Sequence, residues 1–254
     1  MTGDLARDGW TRIGPDPQLL AWATAALPFA EAALKDPSKD HWYRCERTWF
    51  AGVDALPNDA HGRLGAGPDL PFDVLPGLLP VSLHEAQMSA VFPGYPKPLE
   101  GESEAAARYR LKRDAAHVDG IVPIGADRRR FLKEPHAWIL GLPLSTSDPA
   151  ASPLVVWEGS HRLMSERFRT AFSGLSPEAW GGVDLTEIYQ ATRREAFDTC
   201  MRRTVSALPG EALLLDAKVL HGIAPWASDQ ETPRLMAYFR PVTDYASWLK
   251  LLQD

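Results

Sequence analysis

Apolar positions along this chain fall into two regimes. Up to about residue 54 they recur at helical spacing: Leu19, Leu20, Trp22, Ala23 and Leu27 follow Asp16 and Pro17, which form a helix start. Pro28 is expected to end or kink that helix. Residues 55–80 are rich in Gly, Pro and Asp, which predicts loop wrapped around the outside of a core. Beyond Pro80 the pattern changes to short, turn-bounded apolar runs at 88–92, 137–144, 154–157, 205–208, 212–215 and 235–239. Short strands in series mean a sandwich or barrel.

Helices are expected between and after these strands. Residues 185–197 form one, with Asp184 as cap and Glu187 reaching back in a capping-box arrangement. Residues 160–172 form a second, capped by Ser160, and residues 244–252 close the chain. The pattern predicts a mainly β fold with flanking helices, built as a double-sheet jelly roll. We expect a single domain over 1–254, with a helical N-terminal extension at 1–54 packed on the barrel. The jelly-roll core spans 80–241, with a helical insertion at 160–203.

Composition narrows the class of protein. At 254 residues and 45% hydrophobic, the chain can bury one substantial core. A net charge of -6 and a pI near 5.7 give no reason to expect nucleic acid or an anionic membrane as partner. The two cysteines, Cys45 and Cys200, show no framework or metal spacing, so a reducing, cytoplasmic setting is expected. The most apolar stretch, 19–30, is interrupted by Thr24 and Pro28 and falls short of the roughly 20 residues a spanning helix needs.

The chemistry concentrates in three places. In His117-Val118-Asp119-Gly120, an imidazole and a carboxylate two residues apart point to the same face of a strand, and Gly120 lets the backbone turn away. His221 ends the apolar run that Pro209-Gly210 opens. Two histidines and one carboxylate on one side of an octahedron make the facial triad of non-haem iron(II) oxygenases, with three positions left open. Arg234 begins the strand at 234–240, where a guanidinium facing the barrel interior is a bidentate clamp for a carboxylate.

These anchors, together with Leu154-Val155-Val156-Trp157-Glu158-Gly159-Ser160-His161 and Pro209-Gly210-Glu211 leading to Asp216, resemble the phytanoyl-CoA dioxygenase-like branch of the Fe(II)/2-oxoglutarate oxygenases. The likeness covers residues 84–241. It implies a double-stranded β-helix in which His117, Asp119 and His221 bind iron(II), with 2-oxoglutarate and O2 as cosubstrates. It also implies hydroxylation of a small molecule with release of succinate and CO2. Arg234 would take the distal carboxylate of 2-oxoglutarate, with Arg240 as the alternative on the same strand face. Relatives place a residue against the cosubstrate where Trp138 stands, although an ordinary core tryptophan fits that position as well. Glu158 departs from the proline common there. The competing readings are a cupin-like metal enzyme that uses no 2-oxoglutarate and a jelly-roll binding module without catalysis.

Other candidates carry less. His84 and His136 could line the cavity, but structural roles are favoured. His161 at a helix start more often satisfies backbone groups, and His41 and His61 fall outside the barrel. The run Arg128-Arg129-Arg130 with Lys133 could meet an anionic substrate group, and a solvated loop is the plainer reading. Tyr109 and Lys112 lead into the metal motif and could face the cavity. The prime substrate and the oligomeric state are not encoded in these spacings.

Overall fold

The computed structural model describes residues 2–99 and 101–250. In chain order its strands are β1 (Trp10–Ile13), β2 (Tyr43–Arg44), β3 (Trp49–Leu56), β4 (Ala86–Val91), β5 (Ile121–Ile124) and β6 (Arg129–Leu132), then β7 (Ile139–Pro143), β8 (Leu154–Glu158), β9 (Met201–Val205), β10 (Ala212–Leu215), β11 (His221–Ile223) and β12 (Arg234–Phe239). The helices are α1 (Leu5–Asp8), α2 (Pro17–Lys35), α3 (Glu104–Lys112), α4 (Ser160–Ala171), α5 (Thr186–Thr199) and α6 (Tyr245–Leu249).

Among the described residues the strands form a large antiparallel sheet, β1-β10-β7-β12-β4-β3-β2, a small one, β11-β8-β9, and the β5-β6 hairpin. The sheets face each other across a core that draws Trp10, Ile139, Leu213, Leu215 and Met236 from the large sheet and Leu154, Val156 and Val205 from the small one. Strand alternation then assigns the opposite faces. Phe50, Met88, Leu140, Leu142, Leu214 and Phe239 turn outward beneath α2, whose Leu19, Trp22, Ala23, Ala26 and Ala30 cover them. Val155 and Trp157 of the small sheet pack under Met164 and Phe168 of α4, Tyr189 and Ala196 of α5 and Trp248 of α6. Two facing sheets clad by helices make this fold mainly β, a double-stranded β-helix, as the sequence predicts.

Several boundaries differ from expectation, each for a physical reason. Helix α2 does not end at Pro28 but continues to Lys35, because its buried alanine face lies on the sheet and that packing outweighs the cost of one internal proline. The N-terminal extension is not only helical, since β1, β2 and β3 join the large sheet. Ser160 does not cap α4. Gly159, in the left-handed conformation, sits at the cap, and the Ser160 hydroxyl accepts the Leu220 N–H at 2.9 Å. Asp184 accepts the Thr186 N–H at 2.9 Å in an Asx turn ahead of α5, without the reciprocal bond from Glu187. The strand expected at 205–208 ends at Val205. Of the closing helix, residues 251–252 lie outside the described residues.

No helix among the described residues is long and apolar enough to cross a membrane.

Candidate metal centre

The three expected ligands come together. His117 and His221 form an isolated antiparallel bridge, each donating its N–H to the other's carbonyl at 2.8 and 3.0 Å. That pairing brings the imidazole centroids to 4.7 Å. Asp119, two residues on, reaches the same point: its Oδ1 is 3.1 Å from His117 Nε2 and 3.8 Å from His221 Nε2. One donor atom from each residue lies within 4.8 Å of the others, so the set could hold a metal ion.

The backbone around the set explains why these residues meet. A Cβ on Gly222 would sit 2.1 Å from the carbonyl oxygen of Asp114, so only glycine lets the 114–116 segment lie against β11. Gly120, at φ +79°, has its Cβ position 2.0 Å from the Glu134 carbonyl oxygen, which fixes the turn that follows Asp119. On the far side of the loop, the Tyr189 hydroxyl accepts the Val118 N–H at 3.0 Å and the Tyr109 hydroxyl donates to the Ala116 carbonyl at 2.8 Å. Tyr109 therefore braces the loop from behind, on helix α3, and does not face the cavity. The Ser160 hydroxyl holds Leu220, the residue before His221.

Hydrogen bonding also sets the tautomers. Nδ1 of His117 lies 3.0 Å from the Ala115 carbonyl and Nδ1 of His221 lies 3.0 Å from the Val219 carbonyl. A carbonyl only accepts, so each Nδ1 carries the proton and each Nε2 is turned to the centre. Arg240 donates to Asp119 Oδ2 at 2.9 Å and also to Gln87, leaving Oδ1 on the histidine side.

Charge is distributed unevenly over the set. Burial holds the His221 imidazole down to about 4, so it is neutral at ordinary pH. His117 is shifted the other way: burial opposes its charging, but the hydrogen bond and the charge of Asp119 prevail, and its pKa is raised. Asp119 stays ionised well below the usual carboxylate range, because His117, Arg240 and His221 outweigh its burial. Below the raised His117 value the metal-free protein therefore carries a proton on His117 Nε2, facing the ionised Asp119.

A metal ion must displace that proton. Affinity for Ni(II), a redox-stable probe, is expected to fall as pH is lowered through the raised His117 value, by up to about tenfold per pH unit. His221 adds little competition above its own value of about 4. Calorimetry in buffers of different ionisation enthalpy should record proton release; pH-independent affinity without release would refute a proton on His117 facing Asp119.

The set lines a cavity of about 360 Å³, bordered by Trp49, Tyr95, Ile139, Leu154, Leu215 and Tyr238, with Gln87, Ser89, Glu134 and Arg240 as polar members. Trp49, Ala51 and Val53 alternate along β3 and Gln87 and Ser89 along β4. The β3 contributors escape sequence reading because the N-terminal region reads as helical, although the alternation itself is visible at 49, 51 and 53.

Arg234 lies at the start of β12, on the same face as Met236, Tyr238 and Arg240 and about 20 Å along the strand from the latter at ~3.3 Å per residue. It does not line the main cavity. It borders a void of about 20 Å³ beside Leu213 and Met236, and its charge reaches the hydroxyl of Tyr95. The residue is 8% exposed, and its Nε and Nη2 have no hydrogen-bond partner among the described residues.

Trp138 is corrected by the structure. It shares the outward face of its segment with Leu140 and Leu142, belongs to the core beneath α2 and packs edge-on against Phe72. Its neighbour Ile139 lines the cavity instead. Trp138→Phe is expected to cost roughly 0.5–3 kcal/mol in urea unfolding and to leave 2-oxoglutarate affinity unchanged.

The remaining histidines stay outside the cavity wall. His161 is buried against α1, its Nε2 3.2 Å from the Ala6 carbonyl. His84 accepts the Arg240 N–H at 3.1 Å, and His136 is buried nearby. Arg128–Arg130 shape the turn and first residues of the β5-β6 hairpin, where Arg129 pairs with Asp184 at 2.7 Å.

No protein-family model matches the chain, and no curated protein sequence matches it. Its fold is similar to several solved structures. EvdMO1 is 17% identical at a TM-score of 0.48, over 93% of this chain and 48% of that one, so the chain spans about half of its length. EctD from S. alaskensis, solved with 2-oxoglutarate and 5-hydroxyectoine, is 17% identical at 0.46, over 93% and 72%. HygX from Streptomyces hygroscopicus, solved with nickel, 2-oxoglutarate and hygromycin B, is 14% identical at 0.44, over 93% and 83%.

Proposed function

We propose that this chain is a non-haem iron(II)- and 2-oxoglutarate-dependent oxygenase that hydroxylates a small molecule. The observation that carries the proposal is the meeting of His117, Asp119 and His221 within 4.8 Å on the wall of the cavity. Two imidazole nitrogens and one carboxylate oxygen suit iron(II) and leave positions open for ligands. An ion so held, with 2-oxoglutarate and O2, supplies oxidation of a substrate C–H bond with release of succinate and CO2.

The chain's residues hold and orient. Nδ1 bonds to Ala115 and Val219 keep both Nε2 atoms aimed inward, and Arg240 on Oδ2 leaves Oδ1 of Asp119 free to bind. Arg234 is our candidate for the distal carboxylate of 2-oxoglutarate: it stands outside the main cavity behind Tyr95, which its charge reaches, so this role requires the wall at Tyr95 to open towards it. A buried guanidinium with orphaned donors is costly unless a ligand brings its partner, and a carboxylate satisfies two such donors at once. Trp49, Tyr95, Ile139 and Leu154 exclude water around a small, largely apolar substrate, with Ser89 and Gln87 as polar contacts. Because Asp119 supplies a carboxylate where a halide would need an open position, hydroxylation is favoured over halogenation.

The test is anaerobic loading with Fe(II), then 2-oxoglutarate, ascorbate and air, scored for succinate. Succinate that requires all components supports the proposal. Tight metal binding with no consumption of 2-oxoglutarate would refute it in favour of another kind of metal enzyme.

A further inference from the structure

A second pocket, of about 400 Å³, lies apart from the metal cavity, with the 116–118 segment between them. Three elements build it. Helix α5 presents Gln190, Arg193, Arg194 and Phe197 at offsets of three, four and seven residues, which is one helical face. Helix α3 and its cap add Tyr109 and Arg113, and β6 adds Arg130. Four guanidinium groups thus gather in a chain whose net charge is -6.

Several arginines elsewhere in the fold rest on carboxylates, among them Arg110 on Glu102, Arg129 on Asp184, Arg202 on Asp114 and Arg203 on Glu158. Among the described residues, none of the four pocket arginines has a carboxylate within ion-pair distance. Two of them lean on rings instead, Arg113 over Phe197 at 4.5 Å and Arg193 over Tyr109 and Tyr189 at 4.8 and 5.2 Å. Aromatic faces orient a guanidinium without neutralising it. Nε of Arg193 is buried and has no hydrogen-bond partner among the described residues.

We propose that this pocket binds a multivalent phosphate anion, gripped by Arg113, Arg130, Arg193 and Arg194. Arginine forks match phosphate oxygens in pairs, and an anion of several charges is what four uncompensated cations call for. Burial first, then repulsion from Arg193 and Arg128, lowers the pKa of Arg130, the direction expected where cations crowd together. Tyr109 and Tyr189, which carry the Arg193 guanidinium, are also the residues that hold Ala116 and Val118. An occupied pocket therefore braces the loop that bears His117 and Asp119.

Calorimetric titration of the metal-free protein with sodium tripolyphosphate tests this. Saturable, salt-sensitive binding is expected, weakened at least about tenfold in Arg193→Gln/Arg194→Gln and in the exposed-site variant Arg113→Gln. Thermal unfolding and Ni(II) affinity, both unchanged, verify that the variants fold. ATP binding more tightly than tripolyphosphate would assign the pocket to the phosphate chain of a nucleotide, and equal affinity to free polyphosphate; either supports the proposal. Absence of saturable binding, tighter binding of citrate, or affinity indifferent to all three arginines would overturn it.

Discussion

His221→Ala is expected to lose Ni(II) and Fe(II) binding and, with it, all succinate formation. The imidazole is one of three donors meeting within 4.8 Å, and two remaining donors cannot hold the ion against water. The loss should exceed the roughly 10–100-fold that removal of an outer-shell partner costs. His161→Ala, which removes an imidazole packed on α1, should leave metal affinity intact. Anaerobic equilibrium dialysis of both variants separates these outcomes, and retained tight binding by His221→Ala would end the proposal of a triad.

The same variant carries a prediction about stability whose sign follows from burial. His221 is held to about 4 when folded against an ordinary value of 6.5, so the unfolded chain takes up its proton first as pH falls. In the metal-free wild type the His221 contribution to stability therefore drops as pH is lowered from 6.5 towards about 4, opposite in sign to that of His117 with its raised pKa, and His221→Ala removes the His221 contribution. Thermal melts across this window should show a shallower decline in the variant. An unchanged decline would mean that other groups, such as buried His136 and His161, carry the acid sensitivity.

Much of the site was legible because its residues obey short-range rules. His117 and Asp119 share a face through their spacing of two, and Gly120 and Gly222 stand where the backbone admits no side chain. His221 follows an apolar run buried between the layers. What the sequence left open depended on tertiary partners. Whether Trp138 faced the cavity was a question of strand register, decided by the α2 alanines that claim its side of the sheet. The β3 wall of the cavity was hidden by the helical character of its neighbour, α2. The Ser160 hydroxyl fits a cap by sequence, yet packing brings Leu220 within its reach and Gly159 takes over the turn. Arg234 and Arg240 sit equivalently by alternation, and the tertiary fold separates them, placing Arg240 on Asp119 in the cavity wall and Arg234 outside it.

That separation yields the sharpest test of how the cosubstrate is held. Arg240 is bound to Asp119 Oδ2, so Arg240→Gln should weaken metal binding first and 2-oxoglutarate only through the metal. Arg234 touches no ligand of the ion and keeps two buried donors without partners. Arg234→Met should therefore leave Ni(II) affinity unchanged while raising the KM for 2-oxoglutarate by at least about tenfold, the equivalent of one charge-assisted hydrogen bond. Its effect on stability runs opposite to that of an ordinary core substitution. Removing unsatisfied buried donors recovers about 1–3 kcal/mol, and the ligand-free variant should melt several degrees higher than wild type, at ~2–4 °C per kcal/mol for a chain of this size. Added 2-oxoglutarate should then stabilise metal-loaded wild type more than metal-loaded Arg234→Met. If Arg234→Met melts lower and binds 2-oxoglutarate normally, the guanidinium is structural and the carboxylate must be held elsewhere. A buried charge kept at the expense of stability is the physical mark of a residue waiting for a ligand.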